Sequence, residues 1–235
     1  FTQIQAFFIQ WGQQLYSTFI EQQRYLMLLD GLKNTIIITL GALLIGIVLG
    51  TAVAVIKFLA EEKPALKPLA WLCNVYVTVV RGVPVVVLLL IFYFVILRSA
   101  DGIVTGIVAF GINSGAYMAE IIRGGINAVD GGQTEAARSL GFNRMASMRF
   151  VVLPQAVKNI LPAIGNEMIA LLKETAVAGY VAVQDLTRAA NLIRNNTYDA
   201  LNPLLATAIV YLTMVVLLTA LLGKLEMRLR RSDVR

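Results

Sequence analysis

Residues 34–56, NTIIITLGALLIGIVLGTAVAVI, hold no charged side chain between Lys33 and Lys57. About 20 predominantly apolar residues are needed to carry a helix across roughly 30 Å of hydrocarbon, so this run predicts a membrane-spanning helix. Gly41, Gly46 and Gly50 stand five and four residues apart within it. They keep part of one face small enough for a neighbouring helix to approach closely, which predicts a packed helix rather than a lone anchor.

The rest of the chain agrees with that reading. Of its 235 residues, 58% are hydrophobic and 14% charged, whereas soluble domains run near half apolar and a quarter charged, so composition argues against a water-soluble globule. The sequence has 20 Lys plus Arg, 14 Asp plus Glu and no His, for a net charge of +6. Without histidine there is no serine-histidine hydrolase and no histidine-ligated zinc or haem. Cys73 is the one cysteine, so an internal disulfide and a multi-thiolate metal site are excluded too.

Four more crossings are expected. The second follows Pro84 as VVVLLLIFYFVIL and ends at Arg98, with Leu69 to Arg81 reading as a surface helix that leads into it. The third covers about 102–122 and contains Asn113 and Glu120. The fourth covers about 156–181, carries Lys158, Glu167, Lys173 and Glu174, and is expected to break at Pro162. The fifth, about 204–222, is uncharged. Lys57, Lys63, Lys67, Arg81, Arg123, Arg138, Arg144, Arg149, Lys158 and the C-terminal cations fall on one side of these spans. Arg24, Lys33, Arg98, Arg188 and Arg194 fall on the other. Cytoplasmic loops concentrate Lys and Arg, so the N-terminus is expected outside and the C-terminus in the cytoplasm.

Residues 1–28 lack the basic start and small-residue cleavage site of a signal peptide, and Phe1 suggests a trimmed start. Ile4, Phe8, Trp11, Leu15 and Phe19 recur at helical spacing among glutamines, which predicts an amphipathic helix in the outer interface. Residues 29–223 then form one integral-membrane domain and 224–235 a basic cytoplasmic tail.

A loop over about 123–158 separates the third and fourth spans, long enough to be functional rather than a mere connection. Within GGINAVDGGQTEAARSLG at 124–141, Gln133 to Leu140 predicts a short helix opened by Asp130 and Gly131. Gly141 suits the left-handed position that ends a helix, with a further helical stretch from about Phe142. Such a helix can dock into a groove on a soluble partner.

EAARSLG at 135–141, followed after ten residues by VLPQA at 152–156, resembles the EAA loop of ATP-binding-cassette (ABC) importer permeases. VRGVP at 80–84, AYMAEIIRGGINAV at 116–129 and LPAIGNEMIALLKETAV at 161–177 resemble segments of the polar amino acid branch, the histidine, glutamine and arginine type. The resemblance covers most of the chain from about residue 29. It departs at Leu88, Glu174, Ala176 and Val177, which bears on the substrate rather than on the class. It implies an all-α integral membrane protein with five transmembrane helices in the type I importer permease architecture, in a bacterial cytoplasmic membrane. It implies that Glu135, Ala136, Ala137 and Gly141 form a coupling helix for a cytoplasmic ABC ATPase dimer. The implied partners are that dimer, a second permease subunit, identical or homologous, an extracytoplasmic solute-binding protein, an amino acid and membrane lipid, with no nucleic acid. No cofactor is expected on this chain. It has no G-x-x-x-x-G-K-[ST] phosphate loop, so ATP and Mg belong to the partner ATPase.

Intramembrane charges cost on the order of 2.5 to 3.5 kcal/mol each on insertion scales, so they need partners or a polar cavity. Asn113, Tyr117 and Glu120, spaced four and three apart, share one face of the third helix. Glu167 and Glu174 form one stripe of the fourth, Asn166 and Lys173 an adjacent one. A zwitterionic amino acid requires an anion for its amine and donors for its carboxylate, so Asn113, Tyr117, Asn166, Glu167, Lys173 and Glu174 are the candidate pathway residues. Asn166 and Glu167 are favoured. Lys173 and Glu174 divide evenly between substrate contact and pairing near the outer interface or between subunits. Glu120 reads as an interfacial salt bridge to Arg123. Residues 183–196, VQDLTRAANLIRNN, read by default as a solvated charged helix, with reception of a delivery protein as the alternative. Two other functions compete with the importer. A gradient-driven transporter or channel normally has broken helices in both halves. An intramembrane enzyme lacks its common nucleophile and metal constellations here.

Overall fold

The computed structural model describes residues 2–230, so Phe1 and residues 231–235 of the basic tail lie outside the described residues. Every regular element among them is helical. Helix α1 is Thr2–Leu15, extended by a π-helical turn at Tyr16–Ile20; α2 is Tyr25–Ala60 and α3 Lys67–Gly82. Helix α4 is Val85–Ile91, extended through Phe92–Ile96, and α5 is Gly102–Asn127. Then come α6 (Gly131–Ser139), α7 (Arg144–Ser147), α8 (Leu153–Glu174), α9 (Leu186–Thr197) and α10 (Leu201–Arg230).

The glycine-lined face of residues 34–56 packs as its spacing predicts, and its partner is α5. A Cβ on Gly46 would lie 2.8 Å from Ser114 Oγ, and one on Gly50 would lie 2.4 Å from Met118 Cβ. Helix α5 reciprocates: a Cβ on Gly111 would stand 2.7 Å from Ile45 Cβ. The two backbones therefore approach as only small residues permit. We expect Gly50→Val to force α2 off α5 and destabilise the fold by on the order of 3 kcal/mol, an overpacking cost. Gly124→Ala, where nothing lies within 4 Å of the added Cβ, should be neutral. Thermal unfolding of the two variants in detergent checks the contrast.

Two buried clusters order the bundle along its length. Ile38, Ala42, Leu89, Ala109, Phe110, Leu171, Ala178 and Val181 form one. Val53, Cys73, Val77, Val80, Leu88, Ala116 and Ala119 form the other, towards α6. Cys73, Val77 and Val80 bury one side of α3, which is thus part of the bundle and not a surface helix. The chain bends by 108° between Pro64–Gly82 and Val85–Ile96. The 12 residues of Val85–Ile96 reach only about 18 Å at 1.5 Å per residue, too short to cross alone.

Among the described residues, three helices are long and apolar enough to cross a membrane: Tyr25–Ala60, Gly102–Asn127 and Leu201–Leu229. The bent pair, taken as one span, makes four. Helix α8 has the length, at 22 residues, but carries Lys158, Glu167, Lys173 and Glu174. It also runs unbroken through Pro162. Packing against α5 and α10 outweighs the roughly 3 kcal/mol that an interior proline costs. Leu40, Leu44 and Val48 on α2 and Leu212, Val216, Leu217 and Leu221 on α10 are exposed, as suits an integral membrane protein.

Helix α9 is not a solvated helix. Leu186, Ala189, Ala190 and Ile193 are buried, and the Thr35 hydroxyl accepts from the Leu186 amide at 3.2 Å.

Candidate functional site

The loop between α5 and α8 folds as its punctuation predicts. Asp130 caps α6 by accepting from the Gly132 amide at 2.6 Å. At the other end Gly141 takes φ +88°, donating to Arg138 O at 3.0 Å while Phe142 donates to Ala137 O at 3.1 Å. This pair of bonds is the Schellman arrangement, which requires a residue that enters the left-handed region without penalty. Ala137 turns inward at 3% exposure, while Glu135, Ala136, Arg138 and Gly141 are exposed. Leu140, 81% exposed, gives α6 an apolar tip. The element offers an exposed small residue, Ala136, a carboxylate at its midpoint and one protruding leucine.

The following turn ties this loop to α2. Asn143 caps α7, accepting from the Ala146 amide at 2.8 Å. Arg144 hydrogen-bonds to Glu61, lies 3.8 Å from Glu62, and sits over the Phe58 ring at 4.7 Å. Exposed ion pairs and cation–π contacts each contribute about 1 kcal/mol or less, so Arg144→Ala should spare the fold. It should loosen the loop instead, raising hydrogen exchange over residues 131–150 by about two- to five-fold, with Arg144→Lys partly restoring protection. Hydrogen-exchange measurements on the three forms check this.

The candidate pathway residues separate into three groups. Between α5 and α8, Ser114 Oγ donates to Glu167 Oε1 at 2.9 Å and Asn113 Nδ2 to Glu174 Oε2 at 3.3 Å. The glutamate stripe thus faces α5, and both carboxylates stay half-buried. Asn166 and Lys173, on the adjacent stripe, are exposed. Tyr117 lies with Glu120 nearer α6, where the Arg81 guanidinium sits 5.2 Å from its ring centre. Arg123 Nη2 meets Glu120 at 2.6 Å, the expected salt bridge. Lys57 and Arg81 extend it at 3.9 and 3.8 Å.

The opposite end holds a cleft of about 540 Å³ lined by Tyr180, Asp185, Arg188, Asn191 and Asn195 among others. Asp185 caps α9, accepting from the Thr187 and Arg188 amides at 2.8 and 3.2 Å. Burial raises its carboxyl above the ordinary aspartate value despite those bonds.

Close by, α1 docks onto the start of α10. Trp11 Nε1 donates to Asn202 Oδ1 at 2.9 Å, and Thr18 Oγ1 donates to Asp199 Oδ2 at 2.8 Å. Burial raises the Asp199 pKa, but donors from Asn202, Thr18 and the Leu201 backbone more than offset it, leaving the carboxyl below the ordinary value. A depressed carboxyl contributes stability that is present above its unfolded pKa and lost as pH falls through the folded one. Hydrogen exchange over residues 11–20 should therefore rise on the acid side of the ordinary aspartate range, and Asp199→Asn should abolish that step.

Ser114, Arg144, Thr18 and Asp199 did not stand out in the sequence. Ser114 had one faint signal, a hydroxyl beside Asn113 on a glycine-rich face. The other three pair with residues too distant along the chain to be foreseen.

Residues 46–231 match the family model described as "binding-protein-dependent transport system inner membrane component". An arginine transport system permease protein, ArtQ, of Bacillus subtilis (strain 168) is 37% identical over 210 residues, covering 88% of this chain and 94% of that one. A probable glutamine ABC transporter permease protein, GlnM, of the same organism is 36% identical over 209 residues, with the same coverages. A chain from the crystal structure of an amino acid ABC transporter with histidines superposes with a TM-score of 0.82 at 40% identity. It covers 89% of this chain and 98% of its own. A chain of the inward-facing MetNI methionine ABC transporter shares the fold, with a TM-score of 0.76 at 21% identity.

Proposed function

The chain belongs to the family of binding-protein-dependent transport system inner membrane components, and from that premise we propose how it works and what it carries. It is the permease subunit of an ABC importer, a translocation component and not an ATPase. Its substrate is a polar amino acid. The relatives named for arginine and glutamine support this class, as do the paired carboxylates Glu167 and Glu174, which suit an amine or other cationic group.

Two such subunits, identical or homologous, line a pathway in a bacterial cytoplasmic membrane. Each crosses five times, with α2, the bent α3–α4 pair, α5, α8 and α10 as the crossings. The N-terminus lies outside and the C-terminus inside, as the Lys and Arg bias favours. The α9 cleft faces the solute-binding protein. Helix α6 enters a cleft of the ATPase, with exposed Ala136 allowing close approach, buried Ala137 seating the helix on its own chain, and Glu135, Gly141 and Leu140 completing the contact. ATP and Mg bind on the partner subunits. Closure of the ATPase pair draws the two α6 helices together and turns the pathway outward; hydrolysis resets it. Asn113, Glu167 and Glu174 line the pathway, with Tyr117, Asn166 and Lys173 as its further polar groups.

The match over residues 46–231 is the observation that carries this reading. Affinity purification of the chain from its native membrane should bring an ATPase at about equal stoichiometry. The reconstituted complex should take up amino acid only with ATP and binding protein. Uptake that proceeds with no ATPase and collapses with the ion gradient would overturn it in favour of a secondary transporter.

A further inference from the structure

Helix α3 presents three faces at the end of the bundle that carries α6. Cys73, Val77 and Val80 enter the core, while Trp71, Leu72, Val75 and Val79 form an exposed apolar strip. Asn74, Thr78 and Arg81, spaced four and three apart, lie between those two faces. With Lys57 of α2 and Tyr117 and Glu120 of α5, this polar strip lines a cleft of about 460 Å³ at the elbow beside Gly82.

The charges in the cleft do not balance. Glu120 is already held by Arg123, which donates to both carboxylate oxygens. Lys57 and Arg81 stand 3.9 and 3.8 Å away, beyond hydrogen-bond length. Two cations thus face the cleft with donors to spare, beside an amide and a hydroxyl. One carboxylate is thus shared among three cations, which leaves net positive charge facing the open space.

We propose that this cleft binds the phosphate headgroup of an anionic phospholipid, whose acyl chains lie along Trp71, Leu72, Val75 and Val79. The guanidinium of Arg81 offers a phosphate two parallel donors, and Lys57 adds a point charge. Basic pockets between membrane helices on the cytoplasmic side take such headgroups. The adjoining apolar strip favours a lipid over a free anion, because only a lipid gains from covering it. The inference rests on the end bearing α6 facing the inner leaflet. It places a lipid at the bend where α3 turns into α4, so occupancy would stiffen that elbow.

The test reads lipid retention, which does not require uptake. The full-length chain is transferred to vesicles of phosphatidylcholine doped with phosphatidylglycerol, re-extracted, and weighed intact with its bound lipid. The wild type should retain about one phosphatidylglycerol per chain in preference to phosphatidylcholine. Lys57→Gln with Arg81→Gln should weaken retention by about five-fold per cation removed. Thr78→Glu places a carboxylate in the cleft, where it competes for Lys57 and Arg81, while leaving both cations and Glu120 in the sequence. It should weaken retention similarly, and it keeps the question open to measurement if the double variant does not fold. Unchanged retention in Thr78→Glu, or equal retention of phosphatidylcholine, overturns the proposal. Displacement of the lipid by inorganic phosphate would assign the cleft to a free anion and overturn the lipid as occupant. A chain that retains lipid selectively, yet whose complex with ATPase and binding protein supports no ATP-driven uptake, refutes the importer reading alone.

Discussion

Gly141→Asp is expected to leave the chain inserted and assembled while disconnecting ATP turnover from uptake. Gly141 sits at φ +88°, where a residue with a Cβ costs roughly 1–2 kcal/mol. Nothing lies within 4 Å of the Cβ that would be added, so the penalty falls on the local backbone rather than on packing. A carboxylate at the C-terminal end of α6 also opposes the helix dipole. The two effects together loosen the bonds from Gly141 and Phe142 back to Arg138 and Ala137, so α6 loses its defined end. Uptake should fall by on the order of ten-fold or more with basal ATPase little changed, since about 1.4 kcal/mol already corresponds to a factor of ten. Gly141→Asn enters the left-handed region more readily and adds no charge, so it should recover much of the uptake. Wild-type uptake in Gly141→Asp would remove α6 from the coupling route.

The second large effect is expected at Glu167. Glutamine in its place is isosteric and can still accept from Ser114 Oγ, which now lies 2.9 Å away, so the α5–α8 contact should persist. What disappears is the charge. If the carboxylate receives the cationic group of the substrate, its loss removes a charged hydrogen bond worth about 1.5–3 kcal/mol, or roughly ten- to hundred-fold in apparent affinity. The effect should be larger for a cationic amino acid than for a neutral one. Ser114→Ala supplies the control, because it breaks the interhelical bond and keeps the charge. Should Glu167→Gln leave uptake kinetics intact while Ser114→Ala lowers stability, Glu167 is a packing residue and the pathway runs elsewhere.

The site was legible in proportion to how local its determinants are. The α6 element could be read almost residue by residue, since Asp130 and Gly141 act on backbone groups within a few positions of themselves. The glutamate stripe was legible for the same reason, because a seven-residue spacing places Glu167 and Glu174 on one helical face. What that stripe faces was not legible. Its partners Ser114 and Asn113 lie on another helix, and nothing in the spacing of α8 selects them. Arg144 is the clearest case. On sequence it is one more cation of a basic loop, yet it is bound to Glu61, 83 positions earlier.

The fold divides along the same line. Uncharged apolar runs and their interruptions determined from the sequence alone that this is a helical membrane protein, where its long helices run, and that the glycines of residues 34–56 meet a close neighbour. Those properties follow from the transfer of each segment into lipid and from the local geometry of the backbone, so each segment declares them by itself. Tertiary structure decided that α3 joins the bundle and bends by 108° into the next helix. It also decided that α8 stays helical through Pro162 and that Thr18 and Trp11 hold α1 against Asp199 and Asn202. In each of these the local preference is weak or contrary, and contacts between segments far apart in the chain supply the free energy that selects the outcome.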